Sequence, residues 1–350
     1  MSEKRAPQLY PSKADINGLQ WLPRSLRLLI GYCTLILFVF TFICLPITAI
    51  ALCFPIFWRH DNRRYTIGYI ALLLLSCIVP VFEWKTFRRL GELWYELFQF
   101  SVNLSPEECL RYISEGQKEE TKYIISMHPH GIIPFHAILW ASFCNQMFTN
   151  KETGEELYGF GGAADVITYL PLIRNIMGFL AAGSASYRVL RKGILTNRGN
   201  KKHLFMLAGG IAEIFTAKPG KHRVVFRNRR GLVKLSLETG SQIIPTYVFG
   251  ANDFYRNGLT DKGIVASLSR KLRMSIIFFG GYLWCPFLPF VPRVTMVMGP
   301  PIPVERWSKE TPIPAEIIER HHDLYIRAIQ ELFEKYKSLA GYPDGELEIS

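Results

Sequence analysis

The stretch "KYIISMHPHGIIPFH", residues 122–136, decides the fold. From Tyr123 to Met127 the chain is almost continuously apolar, and Pro129 and Gly131 then interrupt it. A run of that length, followed by turn-forming residues, reads as a strand buried on both faces, as in sheets that helices cover on both sides. His128 and His130 fall at its carboxyl end, the edge where open α/β sheets hold their ligands. Imidazoles there can bind a metal, pack quietly in a turn, or move a proton.

The rest of the chain beyond residue 83 repeats this pattern. Short apolar runs at "LYGFGG" (157–162), "HLFMLA" (203–208), "RVVF" (223–226), "IIPTYVF" (243–249) and "RVTMVMG" (293–299) read as further strands. Helical segments alternate with them, so residues 83–350 are expected to form one α/β domain. "NLSPEECLRYISEGQ" (103–117) is a helix capped by Ser105 with Pro106 at its first position. Residues 314–339, "PAEIIERHHDLYIRAIQELFEKYKSL", carry apolar positions at helical spacing. A third apolar stretch, 274–292, is broken by Gly and Pro. It reads either as a segment resting on a membrane or as a buried core hairpin.

The N-terminal region is different. No charged residue occurs between Arg27 and Arg59, nor between Tyr65 and Phe82, and only the polar link "RHDNRR" separates the two tracts. Residues 26–82 therefore read as a hydrophobic helical hairpin embedded in lipid, after a segment, 1–25, on the cytosolic side. As one straight helix the first tract would be about 45 Å long, more than a bilayer core of about 30 Å, so it must tilt, kink or run along the interface. Its length, and the second apolar tract behind it, argue against a cleaved signal peptide. Basic residues on both outer flanks place both termini, and with them the α/β domain, on the cytosolic side.

Of the 350 residues 49% are hydrophobic, and the formal net charge is +12. That pairing suits an anionic membrane or a polyanionic ligand. Nucleic acid is not expected, since no zinc-finger spacing, RNA-recognition signature or basic region with heptads is present. The seven cysteines form no CxxC pair and read as reduced thiols.

The histidines lack the further ligands a metal would need, as no HxHxDH or HExxH pattern occurs, so no metal is expected. No GxSxG elbow offers a covalent nucleophile. The remaining chemistry is direct transfer: a histidine deprotonates an alcohol as it attacks an activated acyl group. Between Val166 and Leu237 the only acidic residue is Glu213, in "LAGGIAEIF", set among many arginines and lysines. Such a segment suits a phosphate-rich ligand such as coenzyme A, or lipid headgroups, or is simply a basic membrane-facing surface. Glu213 itself either orients a histidine or the acceptor hydroxyl, or neutralises neighbouring arginines.

Taken together, "HPHG" (128–131), "GGIAE" (209–213), "RRGLVKLSLETGSQIIPTYVFG" (229–250), "PLIR" (171–174) and "MGPPIPV" (298–304) resemble the type 2 diacylglycerol acyltransferases and their monoacylglycerol and wax-alcohol acyltransferase relatives. The blocks occur in the family's order across residues 20–340. Arg229, Gly231, Gly240, Pro245, Phe249 and Gly250 match the long block. The family's Tyr-Phe-Pro element is missing, Leu232 and Ser236 replace Phe and Ala, and Ala251 stands where Glu commonly follows Phe-Gly.

The resemblance implies a membrane-anchored, glycerolipid-acyltransferase-like sheet covered by helices. It also implies transfer of a fatty acyl chain from acyl-CoA to diacylglycerol in the endoplasmic reticulum membrane and at lipid droplets. His128 and His130 would serve the active site, with His130 the favoured base, and Glu213 would orient it. Gly131 would let backbone donors reach the oxyanion, and Gly209 and Gly210 would shape the loop. Arg223, Arg227, Arg229 and Arg230 would hold the phosphates of coenzyme A. Acyl-CoA is a co-substrate and no cofactor is implied; membrane lipid and diacylglycerol are the partners, and a homo-oligomer is compatible. The alternatives are the same chemistry on monoacylglycerol or a long-chain alcohol, and a non-catalytic lipid-binding membrane protein.

Overall fold

The computed structural model describes residues 7–12, 19–52, 54–105, 107–109, 111–112, 121–147, 159–196, 203–259, 262–272, 276–308 and 311–350. The strands are β1 (Tyr10–Pro11), β2 (Ser101–Val102), β3 (Tyr123–His128), β4 (Phe160–Ala163), β5 (Ala182–Ser184), β6 (Leu204–Leu207), β7 (His222–Val224), β8 (Gln242–Phe249), β9 (Arg256–Asn257), β10 (Phe279–Gly280), β11 (Thr295–Met298) and β12 (Leu347–Ile349). Eight of them form one sheet in the order β1-β2-β11-β8-β3-β6-β4-β5. At its centre β3 lies parallel to both β6 and β8, while β11 runs antiparallel to β8 and makes the sheet mixed.

Alternation along β3 sorts its side chains into two layers. Tyr123, Ile125 and Met127 join a core with Trp94, Phe98, Phe135, Leu139 and Trp140, under the helix Phe135–Met147. Ile124 packs on the opposite face with Leu190, Ile194 and Leu235, from the helices Tyr187–Thr196 and Gly231–Thr239. On that same face the C-terminal helix, Ala315–Tyr336, presents Tyr325, Ile329 and Phe333 to Tyr247 and Phe249 of β8. Helices thus cover both faces, and all six residues of β3 are buried.

The expected strands at 122–127, 203–208, 243–249 and 293–299 are present within a residue or two at each end. "RVVF" differs: β7 pairs with β12 in a separate two-stranded sheet. Positions 157 and 158 of "LYGFGG" and Pro106 lie outside the described residues. Ser105 does cap: its Oγ accepts the Glu108 N–H at 3.2 Å while Glu108 accepts the Ser105 N–H at 2.7 Å, a reciprocal capping box.

The N-terminal helix spans Arg24–Ala51, and Arg24–Leu45 is long and apolar enough to cross a membrane. It rests on the domain along one edge. Leu35 and Val39 are buried, Phe38 meets the Trp94 ring edge-on at 5.6 Å, and the Trp94 indole N–H donates to Thr34 at 3.1 Å. Its other side exposes Leu29, Leu37, Phe40 and Ile47. A second helix, His60–Ile78, follows, and Thr48 and Tyr69 join the two by a hydroxyl contact of 2.7 Å. In the 274–292 region β10 pairs with β9, and a single 3-10 turn, Tyr282–Trp284, points outward.

Phe249 is fully buried, stacks on Phe333 at 5.4 Å, and meets Tyr247 at 4.8 Å. Phe249→Ala is expected to lower stability by about 3–5 kcal/mol, measured by denaturant unfolding in detergent, because the cavity is walled by rigid strand and helix.

Candidate active site

β3 ends at His128, and its alternation turns that ring away from the helix Phe135–Met147 and toward the C-terminal helix. His128 is wholly buried, and both ring nitrogens are engaged. Nδ1 lies 2.7 Å from Glu213 Oε1 and Nε2 lies 2.8 Å from the Tyr325 hydroxyl. A carboxylate only accepts, so Nδ1 carries a proton and donates it. The Tyr325 hydroxyl also meets Ser126 Oγ at 2.5 Å, one alternation earlier on the same face of β3. The Phe226 ring stacks on the imidazole at 4.5 Å.

Glu213 lies in the short helix Gly210–Thr216, after β6, and is fully buried. A carboxylate so placed must be hydrogen-bonded to stay charged. It accepts from His128 Nδ1, from the His130 backbone N–H at 2.7 Å and from the Val225 N–H at 2.9 Å. Burial pushes its pKa up, but attraction to His128 and these three hydrogen bonds outweigh that and hold it below the ordinary carboxyl value. Gly209 makes the arrangement fit, because a Cβ there would land on the Glu213 carboxyl group.

His130 sits differently. Its ring is partly exposed, and Nδ1 lies 2.8 Å from the Gly131 carbonyl oxygen. A carbonyl also only accepts, so Nδ1 is protonated and the neutral ring has its lone pair on Nε2. Burial lowers the His130 pKa below 6.5, against the opposing pull of the Gly131 carbonyl and of Glu213. Gly131 adopts φ +67°, and a Cβ would collide with the Ala251 carbonyl. Its smallness is thus demanded by packing as well as by any approach of a ligand. His136 is the quiet packer of the set: it is buried, and has no hydrogen-bond partner among the described residues. Burial, then repulsion from His130, pushes its pKa down to about 3.

The four arginines read as phosphate ligands divide. Arg230 forks onto Glu319 at 2.8 and 2.6 Å, and Arg223 Nε faces Glu348 at 3.1 Å. Arg227 and Arg229 are exposed. Arg227 Nε donates to the Ile349 carbonyl at 2.9 Å, and Arg229 Nη1 donates to the Gly209 carbonyl at 2.7 Å, four residues before Glu213. Gly231, Gly240, Pro245, Phe249 and Gly250 lie on the helix Gly231–Thr239, at its C-cap, on β8 and in the turn after it. Among the described residues no three His, Cys, Asp or Glu side chains gather as metal ligands would.

The structure therefore brings His128, His130, Glu213 and Arg229 to one edge of the sheet. Sequence reading missed Tyr325, Ser126 and the Val225 amide. Tyr325 had a signal: it shares the spacing of His322, Ile329, Phe333 and Tyr336 on the inward face of the last helix. A buried tyrosine hydroxyl must find a partner.

At the carboxyl edge of the sheet a buried His–Glu pair thus stands behind a second histidine whose Nε2 carries a lone pair. The sequence profile described as diacylglycerol acyltransferase matches residues 65–350, so the chain belongs to the diacylglycerol acyltransferase family and is an acyltransferase. It is similar to diacylglycerol O-acyltransferase 2-like protein 6 of Bos taurus, at 27% identity over 92% of this chain and 91% of that protein. Diacylglycerol O-acyltransferase 2 of Homo sapiens is 25% identical over 96% of this chain and 87% of its own. The crystal structure of the 1-acyl-sn-glycerophosphate (LPA) acyltransferase PlsC from Thermotoga maritima superposes with a TM-score of 0.41 at 15% identity, over 89% of this chain and 99% of that one. That last likeness is too loose to carry an argument.

Tyr325→Phe removes the hydroxyl from His128 Nε2 and from Ser126. The expected result is a loss of about 1–3 kcal/mol in unfolding free energy from the polar groups left unpaired. In acyl transfer the outcome expected of a residue that positions His128 is a fall in kcat with KM for acyl-CoA unchanged.

Proposed function

We propose that the chain transfers a fatty acyl group from acyl-CoA to the free hydroxyl of diacylglycerol, with His130 as the general base. The observation that carries this reading is the division of labour between the two histidines. His128 has both nitrogens committed inside the protein, whereas His130 holds a lone pair on Nε2 at a partly exposed ring. In the proposed step His130 Nε2 takes the hydroxyl proton as the alcohol oxygen bonds to the thioester carbon. The C–S bond breaks, and the coenzyme A sulfur leaves as thiolate and accepts the proton from the imidazolium. No acyl-enzyme forms.

Glu213 and His128 are positioning residues. Glu213 holds the His130 backbone by its N–H and fixes His128 behind it, while Tyr325 closes the far side. Gly131 is assigned to the backbone approach of the developing oxyanion. Arg227 and Arg229, exposed and, among the described residues, bonded by their side chains to backbone carbonyls alone, are the arginines proposed to reach the phosphates of coenzyme A. Arg223 and Arg230 support them from carboxylate pairs.

For the membrane we propose that residues 26–82 form an embedded hairpin in the endoplasmic reticulum, with both termini cytosolic and lipid droplets a second location. The apolar N-terminal helix and the exposed Leu72, Leu74, Leu75 and Ile78 on the next one support this. Residues 83–350 then form the cytosol-facing catalytic domain with 274–292 resting on the lipid surface, so that both apolar substrates arrive through the bilayer.

The test uses membranes from cells lacking triacylglycerol synthesis, given labelled acyl-CoA and diacylglycerol, monoacylglycerol or a fatty alcohol. Label is expected in triacylglycerol, reduced about 10²–10⁴-fold by His130→Ala at equal expression. Unchanged activity in that variant removes His130 as the base, and no ester from any acceptor removes the transferase reading. The pH profile gives a second check. A base works when deprotonated, and the His130 pKa is lowered, so the acid limb of kcat/KM is expected below pH 6.5.

A further inference from the structure

The helix Ile264–Leu272 is built inside out. It buries two small residues, Ala266 and Ser269, and exposes three large apolar ones, Val265 together with Ile264, 87% accessible, and Leu268, 44% accessible. Ile264, Val265 and Leu268 share one side of the helix, as residues four apart do. A helix of a soluble domain turns such a stripe to the core. Here the inward contact is instead polar and close: Ser269 Oγ accepts the Ile276 N–H at 2.9 Å.

That bond ties the helix to a second apolar display. Two residues on, exposed Phe278 stacks on Trp284 at 6.0 Å, and Leu283 is 94% accessible at φ +53°. The same segment sends Phe287 against Phe40 of the N-terminal helix, centroids 5.4 Å apart. The helix is thus linked, through Ser269–Ile276 and Phe287–Phe40, to the one described helix apolar enough to cross a bilayer. Charge names the kind of surface it meets. From Lys262 to Arg273, after Asp261, the sequence holds four basic and no acidic residues, and Lys262 and Lys271 are exposed. Apolar residues on one side with cations at the ends are the makeup of a helix lying in the headgroup layer of an anionic membrane.

We infer that Ile264–Leu272 is an interfacial helix that docks the catalytic domain onto an anionic phospholipid surface. The inference rests on the membrane reading above, and adds to it an element outside the hairpin and outside 274–292. Docking there fixes the height of the domain above the lipid from which its apolar substrates come.

The test reconstitutes the full chain in phosphatidylcholine vesicles with and without phosphatidylserine, using bromine-labelled acyl chains as quenchers. A fluorescent amino acid replaces Leu268 in one preparation and the exposed Glu331, on the C-terminal helix, in another. Co-flotation with vesicles reports the membrane reading, and quenching reports the docking. The expected result is co-flotation in both, with quenching at 268 several-fold greater than at 331, weakened without phosphatidylserine and lost in an Ile264→Glu background. Co-flotation with equal, weak quenching at both positions overturns the docking alone. Quenching at 268 that ignores phosphatidylserine overturns the anionic surface, and absence of co-flotation overturns both readings.

Discussion

A single buried negative charge organises this molecule. The Glu213 carboxylate is wholly buried, so the protein must surround it with donors, and the three it uses come from two separate stretches of the chain. One is the ring of His128 at the end of β3, one is the backbone just beyond it, and one is the strand-to-loop segment at Val225. Meeting that demand fixes the HPHG turn to the β6 loop and to the extension of β7. Removal of any donor leaves the remaining charge less compensated in a medium where that costs several kcal/mol.

The same constraint separates the two histidines of one motif. His128 is consumed by the frame: its ring has Glu213 on one nitrogen, Tyr325 on the other and Phe226 stacked on one face. His130 shares the carboxylate only through its backbone, so its ring stays available. A similar partition runs through the arginines. Two of the four are drawn into carboxylate pairs, and such half-exposed pairs leave a weaker field than the sequence count of positive charges suggests.

The central fold was legible because it rests on local signals. Continuous apolar runs at β3 and β8 stated burial on both faces, and the histidines at a strand's carboxyl end stated an edge site. Glu213 stood out as a lone acid in a basic stretch. What was not legible depends on pairing between distant segments. The antiparallel placement of β11, the separate β7–β12 sheet and the partners Glu319 and Glu348 of the arginines are all choices among many sequence-compatible pairings. Tyr325 was hidden for the same reason: its helix was plain, but which strand residue it would touch was not. The inverted helix at 264–272 escaped because its apolar residues share one face, a pattern that reads as core-facing until burial is known.

The bonds that complete the site join residues far apart in the chain, His128 to Glu213 across 85 positions and His128 to Tyr325 across 197. Contacts of such separation form late, after the loops between them have closed. In chain order the apolar N-terminal helix precedes the strand that carries His128, and the tyrosine that locks the histidine follows both. The full set of partners around the histidine is therefore complete only after the helix Ala315–Tyr336 has been made and packed.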